Sequence, residues 1–126
     1  MEKKIIITNE APAPIGPYNQ AVMVNNMLFI SGQIALDPKT GNLFQGEISE
    51  ETTLVMENLK AILKAAGMDF SNVFKSSIFL MDMGKFAQVN EVYGKYFTAD
   101  FPARETIQVS GLPKGVNVEI SMIAAK

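Results

Sequence analysis

The sequence predicts a two-layer α+β domain, a mixed or mostly antiparallel sheet of six strands with two helices on one face. Three observations predict it. Six segments are period-two or short β-prone runs, and two carry an apolar stripe at helical spacing. Their order is β-β-β-α-β-α-β-β, with no composition break, internal repeat or low-complexity segment. Two amphipathic helices need one apolar sheet face to bury against. The 126 residues read as a single domain, 1–126, long enough for a sizeable core.

The first strand spans about Lys4 to Thr8. From Asn9 to Tyr18 the chain is irregular, because Pro12, Pro14 and Pro17 exclude regular structure and Gly16 supplies a bend. Tyr18 closes this rigid segment, and its ring either lines a pocket or covers a core edge. Gln20 to Val24 and Met27 to Gln33 are strands joined by Asn25-Asn26, two residues that tolerate positive φ in a tight hairpin. The second of these strands ends on Ser31-Gly32-Gln33, where glycine marks a bulge or a close backbone approach. Ser31 and Gly32 either offer a hydroxyl and bare main chain to a ligand or simply feed the next loop.

That loop, Ala35 to Ile48, turns at Asp37-Pro38-Lys39-Thr40-Gly41-Asn42. Ser49 then reads as a helix N-cap, with Glu50 and Glu51 favourable to the dipole in the first turn. Val55, Leu59, Ile62, Leu63 and Ala66 form one stripe, and Gly67 is a natural residue just past the helix end. Val73 to Met81 is a strand with Phe74, Ser76, Ile78 and Leu80 on one face. Asp82 caps a second helix, Lys85 to Phe97, whose stripe is Phe86, Val89, Val92, Tyr93, Tyr96 and Phe97. Asn90 sits at the margin of that stripe, as an ordinary helix-edge amide or as a ligand contact. Arg104 to Ser110 and Val118 to Ala125 complete the sheet, separated by a Leu112-Pro113-Lys114-Gly115 turn.

Composition excludes much chemistry. Net charge is −2 with no basic run, which gives no support to nucleic-acid or anionic-membrane binding. The apolar run near Met1 is too short for a signal-peptide core or a membrane span, so a cytoplasmic location is the default expectation. There is no histidine and no cysteine. A Ser-His-Asp triad, an imidazole base and a thiol nucleophile are therefore ruled out, and zinc lacks its two usual ligand types. Proton transfer falls to Glu, Asp, Lys, Tyr or water.

Two residues stand out. Arg104 is the only arginine beside ten lysines, and its planar fork fits a carboxylate or phosphate in a way an ammonium does not. It is read as an anchor for a small anion or as an ion-pair partner. Glu119 is a carboxylate inside an otherwise apolar strand, where burial raises its pKa toward acid/base work unless a lysine pairs with it. If these last two strands formed a simple hairpin, Glu119 would lie roughly 16 Å along the strand from Arg104 at ~3.3 Å per residue. A shared site therefore needs the strands not to be neighbours, or two subunits to supply the two residues. The second sheet face stays apolar (Phe79, Met81, Ile123) with no third helix to cover it, which implies self-association.

Several stretches resemble the RidA family of YjgF-type enamine/imine deaminases: Ile15-Gly16-Pro17-Tyr18, Ser31-Gly32-Gln33, Phe101-Pro102-Ala103-Arg104 and Val118-Glu119-Ile120. Asn58 to Gly67 and Phe86 to Tyr93 are similar to its two helices, so the resemblance spans nearly the whole chain. It implies a chorismate-mutase-like fold and a homotrimer with clefts between subunits. It implies hydrolysis of reactive 2-imino acids, 2-iminobutanoate and 2-iminopropanoate, and of their enamine tautomers, to 2-oxo acids and ammonia, with no cofactor and no metal. By position, Arg104 grips the substrate carboxylate with the backbone N–H of Thr106, and Glu119 positions and activates water. Tyr18, Ser31, Gly32 and Asn90 line the pocket.

Three departures from the family pattern stand near the site. Residue 105, usually small and neutral, is Glu105. Position 106, often Cys, is Thr106. About three residues are missing before Phe101. A non-catalytic trimer that binds 2-oxo or imino acids and regulates a metabolic partner is the alternative reading, although it has no need of Glu119. Ribonuclease chemistry, reported among relatives, is opposed by the acidic balance and the lack of histidine. A holdase role would rest on exposed apolar surface alone.

Overall fold

Eight elements follow the expected order in the computed structural model, which describes residues 1–126. They are β1 (Lys3–Ile6), β2 (Ala21–Val24), β3 (Met27–Gln33), α1 (Ile48–Ala65), β4 (Val73–Leu80), α2 (Phe86–Gly94), β5 (Ala103–Gln108) and β6 (Val118–Ala125). One six-stranded sheet has the order β1-β2-β3-β6-β4-β5, antiparallel except for the parallel β4–β5 pair. The last strand in sequence thus inserts between β3 and β4. Its four alternate residues Val118, Ile120, Met122 and Ala124 are at most 2% exposed, which an interior strand with a helix-covered face requires. β5 and β6 are not a hairpin. β5 follows α2 in a crossover and lies beyond β4, at the sheet edge.

The core lies between the helices and one sheet face. Val55, Leu59, Ile62 and Leu63 of α1 are fully buried, as their spacing predicts, and each contributes roughly 1.5–3 kcal/mol of transfer free energy. The end of α1 is fixed by its last turn. Gly67 takes φ +73°, its N–H donates to the Lys64 carbonyl, and the Met68 N–H donates to the Leu63 carbonyl. These two bonds make a Schellman motif, with Met68 and Leu63 both packed in the core.

Four local expectations are corrected. The start of α1 is Ile48, with Glu47 and not Ser49 at the cap position; Ile48 is buried, and seating it against the core draws the helix start forward. Asp82 caps a 3₁₀ turn, Met83–Lys85, that leads into α2. α2 ends at Gly94, so Tyr96 and Phe97 pack on the core from the turn beyond it. Phe74 is 44% exposed, because a register shift between Val73 and Lys75 turns Val73 inward instead. At Asn25-Asn26 the tight turn forms as expected, with only Asn25 at positive φ (55°).

The second sheet face has no helix on it. Phe29 and Ile107 are 42% and 45% exposed, and Phe79 and Ile123 are half-buried. Across its middle runs a polar row, Ser121, Ser77 and Glu105, in direct register. No helix is long and apolar enough to cross a membrane.

Candidate functional site

The loop after β1 is shaped by one buried amide. The Gln20 Oε1 accepts from the Thr8 N–H at 2.8 Å, and its Nε2 donates to the carbonyls of Thr8, Ala11 and Pro12 at 3.0, 3.3 and 2.9 Å. This bracket closes the proline-rich segment back on itself. Tyr18, at its end, is 45% exposed, and its hydroxyl accepts from the Ile15 N–H at 3.3 Å. The ring is held out over a cleft and does not cover the core. The Ser31 N–H donates to the Gln20 carbonyl, and the Ser31 hydroxyl donates to the Asn19 carbonyl at 2.6 Å, so the loop is stapled to β3 beside Tyr18.

At that staple β3 bulges. The β3–β6 register shifts between Ile30 and Gln33, leaving Ser31 and Gly32 together opposite Ser121. The expected close approach at Gly32 is real. A Cβ there would lie 2.5 Å from Glu119 Oε2 and 2.7 Å from its carboxyl carbon. Glu119 can fold over the main chain only because residue 32 has no side chain.

The result is a cleft of about 300 Å³ with Ile15, Ile34 and Pro113 as apolar walls and Tyr18, Ser31 and Glu119 as polar groups. Glu119 is half-buried, and burial pushes its carboxyl above the ordinary value of 4.5. It has no ion pair; the one salt bridge of the chain is Lys75 with Glu105 at 2.8 Å. The strand start is anchored by the buried Glu51 of α1, which accepts from the Asn117 N–H and amide and from the Val118 N–H at 2.9, 2.8 and 3.3 Å.

Arg104, Thr106 and Asn90 lie elsewhere. Arg104 is in register with Ser76, and Thr106 with Ile78, both on the helix-covered face. The polar face of β5 therefore turns toward α2. There the guanidinium carbon sits 5.0 Å from the Tyr93 ring centroid and 5.6 Å from that of Phe86. Asn90 follows Phe86 by four residues and precedes Tyr93 by three, on the same helical face. Arg104 forms no ion pair. The Val109 N–H donates to the Leu80 carbonyl. By alternation the N–H groups of Arg104, Thr106 and Gln108 point outward, along the unpaired edge of β5. The Thr106 hydroxyl is buried with no hydrogen-bond partner.

The structure thus gathers Tyr18, Ser31, Gly32 and Glu119 into one cleft and places Arg104, Thr106 and Asn90 in another cluster. Ser76, the neighbour of Arg104, is paired with Met122, three residues from Glu119. Two strand spacings and three residue rises put the Arg104 and Glu119 Cα atoms about 14 Å apart, on opposite sheet faces. Glu105 points to the open face, where it pairs with Lys75 and accepts from the Ser77 hydroxyl; these two contacts hold its carboxyl below the usual range. It makes no ion pair with Arg104.

Sequence reasoning missed Gln20, Glu51 and Asn58, whose buried amide donates to the Ile34 and Leu36 carbonyls. Two of the three carried a signal. Glu51 falls four residues before Val55 and Asn58 three after it, so both lie on the apolar stripe of α1.

The family model described as Endoribonuclease L-PSP matches residues 8–126. The chain belongs to this family, the YjgF/RidA family. A member from Myxococcus xanthus, Protein DfrA, is 56% identical over 98% of this chain and 96% of its own length. A Bos taurus member named 2-iminobutanoate/2-iminopropanoate deaminase is 50% identical over 98% of this chain and 90% of its own. Among solved YjgF/RidA structures, E. coli TdcF with bound serine superimposes with a TM-score of 0.93 at 42% identity, covering 98% of each chain. The six-stranded mixed sheet with two helices is the fold of this family.

Proposed function

We propose that the chain hydrolyses 2-imino acids such as 2-iminobutanoate and 2-iminopropanoate to 2-oxo acids and ammonia, in a site shared by two subunits of a homotrimer. The observation that carries this reading is the unpaired, half-buried Glu119 carboxylate facing a cleft of small-molecule size. Arg104 supports it from the other face, as a guanidinium with no anion in its own chain. Since the two project from opposite faces, one subunit supplies Arg104, Thr106 and Asn90 and a neighbour supplies Tyr18, Ser31, Gly32 and Glu119. The open apolar sheet face supplies surface for that assembly.

In this site the substrate carboxylate takes the Arg104 fork and the outward N–H of Thr106. The imine carbon then lies toward Glu119. Water attacks that carbon, its proton passes to the Glu119 carboxylate, and the C=N electron pair moves to nitrogen. Glu119 returns the proton to nitrogen to give the carbinolamine, then takes the hydroxyl proton and passes it to the amine, so that ammonia leaves as the carbonyl forms. The activity named for the Bos taurus relative and the serine bound to TdcF, an amino acid with the same carboxylate, both accord with this chemistry. A ribonuclease reading rests on the family's descriptive name; the charged group of the cleft is a carboxylate, which repels a phosphodiester.

The test generates imine with a dehydratase or an amino-acid oxidase and traps it with semicarbazide. Wild type is expected to cut trapping and Arg104→Lys to leave it nearly untouched. No effect of wild type on any imino acid tried, with 2-oxobutanoate still bound, would replace the enzyme by a binding protein.

A further inference from the structure

We propose that Tyr93 and Ser76 are positioning residues that fix the plane of the Arg104 guanidinium, an inference that rests on the reading of Arg104 as the carboxylate anchor. An arginine without a polar partner has four side-chain torsions to order before it can grip a ligand bidentately, and that disorder opposes binding. Here no carboxylate of the chain holds it. What holds it is the face of Tyr93, at 5.0 Å, with Phe86 at 5.6 Å. Stacking uses the ring face and leaves the in-plane N–H donors free for a carboxylate.

The two rings differ. Phe86 is 39% exposed and has no polar handle, whereas Tyr93 is 4% exposed and locked. The Tyr93 hydroxyl donates to Ser76 Oγ at 2.8 Å, and the Phe97 ring lies against it at 4.8 Å between centroids. Ser76 is fully buried and is the residue paired with Arg104 across the β4–β5 ladder. The hydroxyl end of the ring is therefore tied to the strand position beside the Arg104 backbone. Ring and guanidinium share one frame.

A stability role does not account for this pair. Replacing both partners of a buried hydrogen bond by apolar groups of similar shape can be close to neutral, so Phe and Ala would serve packing nearly as well. What Tyr and Ser add is direction. Burial raises the Tyr93 pKa, with the Ser76 bond and the Arg104 charge acting against it, so the hydroxyl stays protonated and keeps donating.

The decisive measurement uses the single arginine of the chain. Arg104 gives one Nε–H resonance in an NMR spectrum of the intact protein, displaced by the ring currents of Tyr93 and Phe86. It is recorded for wild type, Tyr93→Phe and the double variant Tyr93→Phe/Ser76→Ala, which leaves no orphaned polar atom. The double variant is expected to move that resonance toward the position of a free arginine and broaden it. Its Kd for 2-oxobutanoate should rise roughly threefold, because the ring remains but is no longer tied to β4 and only part of the cation–π contact is lost, with kcat held. An unmoved resonance, with or without a fall in Tm, overturns the proposal and leaves the pair a packing feature. Absent turnover by wild type overturns the deaminase reading alone, since the resonance and the Kd report on Arg104 without catalysis.

Discussion

Glu119 owes its place to an atom that is missing from its neighbour. Gly32→Ala would drive a methyl into the Glu119 carboxylate, so kcat should fall by at least about tenfold while Tm changes little, the flexible side chain giving way before the backbone does. Glu119→Gln should lower kcat by roughly 10²–10⁴ and leave the Kd for 2-oxobutanoate nearly unchanged, as checked by steady-state kinetics and calorimetry. Because burial raises its pKa, the carboxylate base is lost as pH falls through a value above 4.5, and kcat/KM should show an acidic limb there that the Gln variant lacks. The stability sign is the reverse. Between 4.5 and the raised value the folded chain binds the proton more tightly than the unfolded one, so rising pH removes stability across that window and no further above it. Arg104 and Glu119 were legible in the sequence because each breaks a pattern, one by being the sole arginine and the other by standing in an apolar strand. Tyr93 and Ser76 broke none. Tyr93 read as part of the helix stripe and Ser76 as one residue of a strand face, and the bond between them depends on a register between strand and helix that no local pattern encodes.

At the scale of elements, the cleft depends on two buried anchors, Gln20 around the proline-rich loop and Glu51 at the start of β6. Gln20→Ala should free the proline-rich loop and leave the Thr8 amide, among others, unpaired, at about 1–3 kcal/mol per buried orphan group, with a parallel loss of affinity through Tyr18. Thermal unfolding and ligand titration on one sample would separate the two effects. Most strands and both helices could be read from periodicity, since burial on one face imposes it. The exceptions have a common cause. Phe74 and the Ser31-Gly32 pair sit at bulges, where one added residue inverts every inward and outward assignment nearby. At Ser31-Gly32 the glycine announced the irregularity; at Phe74 nothing did, and strict alternation misassigned it.

For the whole molecule, the decisive fact is that one sheet separates Arg104 from Glu119. The sequence could pose that problem from strand spacing but could not solve it, because the insertion of β6 between β3 and β4 is a long-range choice. A shared site makes a direct forecast. Arg104→Ala and Glu119→Gln, each inactive alone, should regain activity when co-assembled, reaching about a quarter of wild type per site by random mixing. Failure of mixed oligomers to recover any activity would confine the site to one chain. The unpaired edge of β5 has another consequence. In the proposed site the outward amide of Thr106 is offered to a carboxylate, and the row of free amides at Arg104, Thr106 and Gln108 is also a template on which a stray strand can dock. Ligand binding and edge-to-edge aggregation therefore compete for the same hydrogen bonds, so saturating 2-oxo acid should slow turbidity growth at elevated temperature by occupying the place where fibrous growth would begin.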